Sequence, residues 1–140
     1  MIPVARVAKV MGLKRPVRSF AELEKMVARG LPKSALKHSV AKATRDPGEQ
    51  RRLMFKIVPK ATLERRLRLL KPDESERTQR LALVIATAEY VWDDDAQAER
   101  FLTTPHATLD GRRPIDAATS ELGARQVEAL LWDIFYGLAA

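Results

Sequence analysis

The chain has 140 residues, 46% of them hydrophobic, which is enough for one ordinary domain or two small ones that share a core. It contains no cysteine, which excludes disulfides, cysteine-ligated zinc and thiol catalysis, and is compatible with a cytoplasmic location. Its apolar runs are all shorter than the roughly 20 residues of a membrane span, so no membrane association is predicted. The net charge of +7 is unevenly distributed: residues 1–72 hold 19 Lys/Arg and 5 Asp/Glu, whereas residues 73–140 hold 6 and 13. This asymmetry predicts that the first half faces a polyanion and that the second half does not.

Residues 1–18 are predicted to form a flexible basic arm. They contain no acidic residue and carry five cations, Arg6, Lys9, Lys14, Arg15 and Arg18. An organelle presequence has a similar composition, but a basic arm is the simpler interpretation. Within it, Ile2–Val10 is the one stretch of the chain whose pattern is compatible with a β-strand.

Residues 19–72 are predicted to contain four helices. Ser19 and Glu22 form a capping box, in which each side chain accepts a hydrogen bond from the backbone N–H of the other residue, and Gly30 ends the helix that they open. Prolines that are tolerated in a first helical turn begin the second and fourth helices, and Asp46 repeats the capping pattern for the third. The predicted helices cover about 20–29, 32–44, 49–57 and 59–70.

Residues 73–140 are predicted to be helical as well. The longest helix begins near Pro72, continues to about Trp92 and is apolar on two sides, which is typical of a helix at the centre of a bundle. Shorter helices are predicted over 95–102, from Pro114 and over 124–137, with a loop over 103–113. The predicted fold class is therefore all-α, with a helix-turn-helix domain over residues 19–72 followed by a small helical domain over residues 73–140.

The helices predicted over 49–57 and 59–70 have the proportions of a DNA-binding helix-turn-helix. In the second helix, Leu63, Leu67 and Leu70 form one stripe, which we expect to face the core. The other sides carry cations and small polar residues, which are the side chains that read base edges. The predicted DNA-binding residues are Lys60, Thr62, Arg65, Arg66 and Arg68. Further cations predicted to contact phosphates are Lys33, Lys37, Arg51, Arg52 and Lys56.

The last predicted helix has a second apolar face opposite its core stripe of Val127, Leu130, Leu131, Ile134 and Leu138. Trp132 and Tyr136, spaced i and i+4, lie on this second face together with Arg125. Protein interfaces concentrate Trp, Tyr and Arg. The second half is therefore predicted to bind a protein partner.

Several short motifs together resemble a known family. In the second half they are Phe101-Leu102-Thr103-Thr104-Pro105-His106, Leu109-Asp110-Gly111-Arg112-Arg113-Pro114-Ile115-Asp116, and then Gly123-Ala124, Val127, Leu130-Leu131, Ile134 and Gly137. This pattern resembles the toxin-binding domain of Xre/MbcA/ParS-type antitoxins. The upstream motifs that are similar to the family's helix-turn-helix domain are Gly30-Leu31-Pro32, Thr62-Leu63, Arg65-Arg66, Glu74-Ser75 and Arg77. The resemblance covers about residues 19–140.

The resemblance implies an antitoxin that is encoded beside a RES-domain toxin, which consumes NAD by hydrolysis, phosphorolysis or ADP-ribosyl transfer. Such an antitoxin caps the active site of the toxin, and the complex represses its own promoter. The residues that we expect to contact the toxin are Arg112, Arg113, Arg125, Trp132, Tyr136, Leu138 and Ala140. The last two belong to a short tail whose terminal carboxylate we expect to enter a basic cleft of the toxin. A homodimer is expected on operator DNA, because helix-turn-helix modules usually pair half-sites.

No cofactor, metal site or catalytic residue is predicted. His38 and His106 each lack a second histidine at metal-ligand spacing, and the glycines are scattered singly rather than grouped in a phosphate-binding loop. Asp93-Asp94-Asp95 lacks the ligand spacing of a calcium loop. The sequence therefore predicts a non-enzymatic protein. The alternative to an antitoxin is a stand-alone helix-turn-helix transcriptional regulator whose C-terminal half only dimerises.

Overall fold

The computed structural model describes residues 2–138 and is all-helical within that range, which confirms the predicted fold class. Its elements are α1 (Val4–Val10), α2 (Phe20–Arg29), α3 (Lys33–Ala43), α4 (Pro47–Ile57), α5 (Lys60–Arg65), α6 (Pro72–Trp92), α7 (Asp95–Thr103), a 3-10 helix (Ala107–Leu109), α8 (Pro114–Ala117) and α9 (Glu121–Phe135). One isolated antiparallel bridge joins Pro32 to Leu69.

The long helix α6 is the centre of the bundle, as its two apolar sides predict. It packs against α1, α2, α3 and α4 and also against α7 and α9, and its side chains from Leu81 to Ala88 are almost all buried. Pro72 stands in its first turn, where the missing N–H costs no hydrogen bond. The helix ends at Asp93, which adopts a left-handed conformation with φ of 50°. One continuous helix therefore serves both halves of the chain.

The N-terminal segment is folded, so the prediction of a flexible arm over residues 1–18 is wrong. Ile2–Val10 is not a strand either, because Val4–Val10 forms α1. Its buried residues Val4, Val7, Ala8 and Met11 follow the i, i+3, i+4, i+7 spacing of one helical face and pack against α6 and α3. Arg6 and Lys9 stay exposed, so burial of this apolar face stabilises the segment without removing its cations from solvent.

Serine caps fix two helix starts, each with a difference from the prediction. Ser19 Oγ accepts a hydrogen bond from Glu22 N–H at 3.1 Å, but the Glu22 carboxylate accepts from Arg18 N–H rather than from Ser19. Ser120 Oγ accepts from Gly123 N–H at 3.0 Å, so α9 begins at Glu121, before the predicted residue 124.

Helix α5 is shorter than predicted, because the chain leaves the helix after Arg65 and becomes extended. Leu70 N–H donates to Leu31 O at 2.8 Å, and Lys33 N–H donates to Arg68 O at 2.9 Å. Leu63 and Leu70 are buried as expected, but Leu67 is 95% exposed, so its predicted place in the core is wrong. Once the helix has ended, helical periodicity no longer determines which way position 67 faces.

Candidate functional site

The candidate DNA-reading unit is the pair α4 and α5, joined through Val58 and Pro59. Asp46 Oδ1 accepts from Gly48 N–H at 2.9 Å and caps α4, and the extended Val58 separates the two helices. Leu53, Ile57 and Leu63 are buried and fix the pair on the core. The remaining faces of α5 are open to solvent, which is the arrangement that a recognition helix requires.

The predicted DNA-binding residues fall into two groups. Lys60 and Arg65 are exposed on α5, and Thr62 lies beside Arg65, whose Nη2 is 3.4 Å from the threonine Oγ1. Arg68 is exposed on the extended segment after the helix. These four side chains are free to approach a ligand, and their role in DNA binding stays a prediction.

Arg66 is different, because its guanidinium is engaged inside the protein. Arg66 Nε and Nη2 donate to the two carboxylate oxygens of Glu74 at 2.9 and 2.7 Å, and Lys71 N–H donates to the same carboxylate at 2.9 Å. The Glu74 side chain is only 4% exposed. The hydrogen bond from Arg66 lowers the pKa of Glu74 to about 2, against the opposing effect of burial. In this position Arg66 anchors the segment after α5 to the start of α6.

Gly30 allows that segment to lie close to the connection between α2 and α3. Its φ is 106°, and a Cβ at this position would lie 2.4 Å from Leu70 O. Ser75 Oγ accepts from the neighbouring Leu31 N–H at 2.8 Å. The motifs around Gly30, Arg66 and Glu74 therefore form one structural unit that positions the end of α5.

A second candidate surface is a cluster of four aromatic rings from α6 and α9. Trp132 lies 5.9 Å from Tyr90, 5.5 Å from Phe135 and 6.3 Å from Tyr136, measured between ring centroids. Trp132 is half-buried, whereas Tyr136 is 66% exposed. The Arg6 guanidinium lies 5.1 Å from the Tyr90 ring centroid, a cation–π distance. We call these four rings the aromatic cluster.

Sequence reasoning placed Trp132 and Tyr136 on one face but missed two members of the cluster. Phe135 is 45% exposed and lies one residue before Tyr136, outside the i, i+4 pattern. Tyr90 belongs to the second apolar stripe of α6, and only the packing of α6 against α9 brings it to Trp132. The exposed aromatic residue at the end of a terminal helix was the available signal for Phe135.

The cations predicted to contact a toxin differ in how free they are. Arg112 Nε donates to Leu109 O at 2.9 Å and its Nη2 to Gln126 Oε1 at 3.0 Å, so the exposed side chain is braced against α9. Arg125 is mostly exposed and pairs with Glu121 at 3.0 Å. Leu138 is 75% exposed, and Ala140 lies outside the described residues.

Arg113 belongs to an ion-pair network that joins α4 to α8. Its guanidinium contacts Asp116 at 2.8 Å and Glu49 at 2.9 Å. Arg52 and Lys56 each lie 3.3 Å from the same Asp116 carboxylate. Burial opposes ionisation of Asp116, but hydrogen bonds from Arg113 and Lys56 outweigh it and lower its pKa. Arg113, Arg52 and Lys56 are therefore paired with carboxylates of the same chain.

The loop between α7 and α8 is a scaffold for this network. His106 N–H donates to Arg112 O at 3.1 Å, and His106 Nδ1 accepts from Thr108 N–H at 3.1 Å. Asp110 and Gly111 make the return turn with φ of 58° and 78°. The residues of this motif shape the backbone through hydrogen bonds.

Two further properties bear on function. Among residues 2–138, no group of three or more His, Cys, Asp or Glu side chains is placed to hold a metal ion. In the same part of the chain, no helix is both long and apolar enough to cross a membrane.

The fold and its surfaces define a two-part helical regulator, with a helix-turn-helix unit before a small helical domain that presents an aromatic surface. Residues 22–83 match the family model of the antitoxin Xre-like helix-turn-helix domain. Residues 87–137 match that of the antitoxin Xre/MbcA/ParS C-terminal toxin-binding domain. The chain belongs to the Xre/MbcA/ParS-type antitoxins.

A curated relative supports this assignment. The chain is 36% identical over 84 residues to a protein named antitoxin Xre from Pseudomonas putida. The aligned region covers 58% of this chain and 53% of the relative, so the chain spans about half the length of the curated relative that it matches.

Proposed function

We propose that this antitoxin neutralises a RES-domain toxin that consumes NAD, by capping the toxin's active site, and that it represses its own promoter through the helix-turn-helix. The observation that carries the first part is the aromatic cluster on the toxin-binding domain. A cytoplasmic location follows from this proposal, since both proposed partners, a toxin that consumes NAD and operator DNA, are found there.

The cluster has the properties of a binding hot spot. Tyr136 and Phe135 are exposed, and their ring centroids lie 6.3 and 5.5 Å from that of Trp132. The Phe135 ring centroid also lies 5.6 Å from that of Tyr90 on α6. Rigid aromatic side chains lose little conformational entropy when they are buried by a partner. Arg125 lies about two helical turns before Trp132 on the same helix and adds charge at the rim of the cluster.

Arg113 contributes indirectly in this proposal. Because its guanidinium is held by Asp116 and Glu49, it fixes the loop before α8 instead of contacting the toxin. Arg112, braced against Gln126, is the loop cation that can reach a partner. Leu138 is exposed just beyond α9 and extends the apolar surface.

The experiment is co-expression with the RES-domain toxin encoded next to this chain, with cellular NAD as the readout. Tyr136→Ala and Trp132→Ala each remove an aromatic anchor, which typically costs about 2–4 kcal/mol of binding. Leu122→Ala is the matched control, because Leu122 is a 66% exposed apolar residue in the first turn of the same helix. We expect NAD to fall with the two aromatic variants and to be preserved with the control. Full neutralisation by both aromatic variants at equal molar ratio would contradict the proposed interface.

The proposed repression of the promoter depends on the exposed cations of α5, Lys60 and Arg65. Arg65→Ala is expected to weaken operator binding by about 1–3 kcal/mol if the side chain reads a base. An unrelated duplex should be affected less, because base contacts specify and phosphate contacts only position. Equal effects on operator and unrelated DNA would show that Arg65 contacts the backbone alone.

A homodimer on DNA is part of the proposal, and sedimentation with and without operator tests it. The alternative, a stand-alone regulator whose C-terminal half only dimerises, makes a different prediction for the aromatic cluster. In that case Trp132→Ala would dissociate the dimer, and neither the unmodified chain nor the variant would neutralise the toxin. Loss of neutralisation with an intact dimer supports the antitoxin.

A further inference from the structure

A basic cleft lies beside the helix-turn-helix, between the end of α1 and the start of α3. Its volume is about 620 Å³. The residues that line it are Gly12, Leu13, Lys14, Arg15, Met26, Pro32, Ser34, His38 and Arg68. Three of these carry a permanent positive charge, and none is acidic. Lys14 and Arg15 precede the region that matches the helix-turn-helix family model.

The cations of the cleft are held on a structured corner. Gly12 N–H donates to Lys9 O at 3.0 Å and Leu13 N–H to Ala8 O at 3.1 Å, the paired bonds of a Schellman motif that ends α1. Gly12 has φ of 62°, and a Cβ there would lie 2.5 Å from the His38 ring, so the corner sits directly on α3.

Apolar residues fix the corner on either side of its two cations. Leu13 packs partly buried against the core, and Val17 is buried. Lys14 and Arg15, both exposed, lie between these two anchors. Their backbone is therefore positioned by the fold before any ligand binds.

The charges of the cleft are not neutralised by the protein. Within the described part of the chain, Lys14, Arg15 and Arg68 have no carboxylate oxygen within 4.0 Å, in contrast to Arg52 and Lys56, which share Asp116. A concave surface lined by cations of one sign concentrates a positive potential that favours a polyanion.

The cleft is continuous with the candidate recognition helix. Lys33 Nζ donates to Arg66 O at 3.0 Å, and its backbone N–H donates to Arg68 O. The segment from Arg65, the last residue of α5, to Arg68 at the cleft covers three residues, about 10 Å at full extension. Arg65 therefore lies within about 10 Å, measured along the chain, of Arg68 at the cleft.

We propose that this cleft binds the sugar-phosphate backbone of DNA next to the groove that α5 enters. Lys14 and Arg15 then supply phosphate contacts from a part of the chain that precedes the matched helix-turn-helix, and Arg68 links them to α5. The inference rests on the proposed DNA binding and extends it to a second contact surface. Such contacts add affinity and salt dependence without choosing a sequence.

The test is the double variant Lys14→Gln and Arg15→Gln in the full chain, measured against operator DNA and an unrelated duplex over a range of salt concentrations. Both side chains are exposed, so the fold is expected to be retained, which circular dichroism checks. Loss of two phosphate contacts lowers the slope of log K against log salt by about 1.8. Because the electrostatic contribution vanishes near 1 M salt, this slope change corresponds to a loss of affinity of about 60-fold at 0.1 M salt, for both duplexes alike. Arg45→Gln with Arg100→Gln is the control, since it removes the same charge beside α7, where Arg45 lies 3.7 Å from Glu99.

The outcomes separate this inference from the function on which it rests. A reduced slope and equal weakening on both duplexes, with no change in the control, support the cleft as a phosphate site. An unchanged slope, in a protein whose binding Arg65→Ala still weakens, overturns the cleft and leaves DNA binding by α5 in place. An equal reduction by the control overturns it too, because the effect is then one of net charge. Absence of DNA binding by the unmodified chain overturns both proposals.

Discussion

If the ion pair between Arg66 and Glu74 stabilises the fold, removing the carboxylate should lower the free energy of unfolding. Glu74→Gln removes the negative charge of a carboxylate that is 4% exposed and accepts three hydrogen bonds, two from Arg66 and one from Lys71 N–H. A glutamine oxygen can replace part of this set, while its NH₂ group faces the guanidinium donors. Hydrogen bonds to charged groups contribute about 1.5–3 kcal/mol each, so we expect the free energy of unfolding to fall by about 2–4 kcal/mol at pH 7.

Thermal unfolding followed by circular dichroism measures this loss. For a chain of this length, 1 kcal/mol corresponds to about 3–4 °C in Tm, so the expected decrease is about 6 °C or more. Glu76→Gln is the matched control on the same helix, because its ion pair with Arg80 is solvent-exposed at the carboxylate and should contribute less than about 1 kcal/mol.

The pH dependence provides the sharper check. The folded pKa of Glu74 is about 2, below the ordinary value of 4.5, so its stabilisation is fully present above about pH 4.5 and is lost as the pH falls toward 2. The difference in unfolding free energy between the unmodified chain and Glu74→Gln should therefore shrink over that window. A difference below about 0.5 kcal/mol at pH 7, or one that does not change with pH, would refute the structural role of the pair.

Three further predictions test other parts of the structure. Gly30→Ala should lower the free energy of unfolding in urea by about 2 kcal/mol or more, because its Cβ would lie 2.4 Å from Leu70 O. Gly111→Ala is the control, because Gly111 also has positive φ but has open space around it, and it should cost about 1 kcal/mol. Equal costs would contradict the close approach at Gly30. Asp116→Asn should lower stability by about 1 kcal/mol at pH 7 and by less in acid, since the lowered pKa of Asp116 means that its contribution is lost as the pH falls. Glu128→Gln should raise the urea midpoint at pH 7, because burial raises the pKa of Glu128 and its ionised form is unfavourable in the fold; a pH-independent effect would rule out this cause.

Most helix starts could be predicted because local chemistry determines them. Ser19 caps α2, and Pro72 stands in the first turn of α6, each for reasons that involve only neighbouring residues. The end of α5 could not be predicted in this way. Its leucine spacing continues to Leu70, but the chain is held extended by Leu31 O and by the Arg66–Glu74 pair. Tertiary hydrogen bonds outweigh local helical preference there.

In the N-terminal segment, by contrast, tertiary packing forms a helix that the local sequence did not predict. Its cations suggest a solvated arm, yet Val4, Val7 and Met11 carry the spacing of a helical face, and Gly12 stands where a helix ends. Over seven residues such a pattern is too short to form a helix by itself. It becomes a helix because α6 and α3 cover its apolar side. This packing involves residues far away in the sequence, so neighbouring residues alone do not predict it.

The predicted sites separate according to whether a partner lies near in sequence. Trp132 lies in α9 and Tyr136 directly follows its last residue, so spacing alone placed them together, whereas Tyr90 reaches them only through packing. Arg113 illustrates the opposite case, because its partner Glu49 lies 64 residues away and the ion pair between them could not be predicted from neighbouring residues. Its contact with the toxin stays a prediction.

The cations of the first half show how structure refines a charge pattern into a candidate surface. The excess of positive charge over residues 1–72 does not show which of its cations are paired within the chain. The fold divides them, because Arg52, Lys56 and Arg66 are paired with carboxylates that the chain itself supplies. The cations with no such partner within residues 2–138 include Lys60 and Arg65 on α5 and Lys14, Arg15 and Arg68 around the cleft at the end of α1, and others, such as Lys25 and Arg29, lie on α2. A charge that is already paired releases few counterions when DNA arrives, so the salt dependence of binding should report the unpaired group alone.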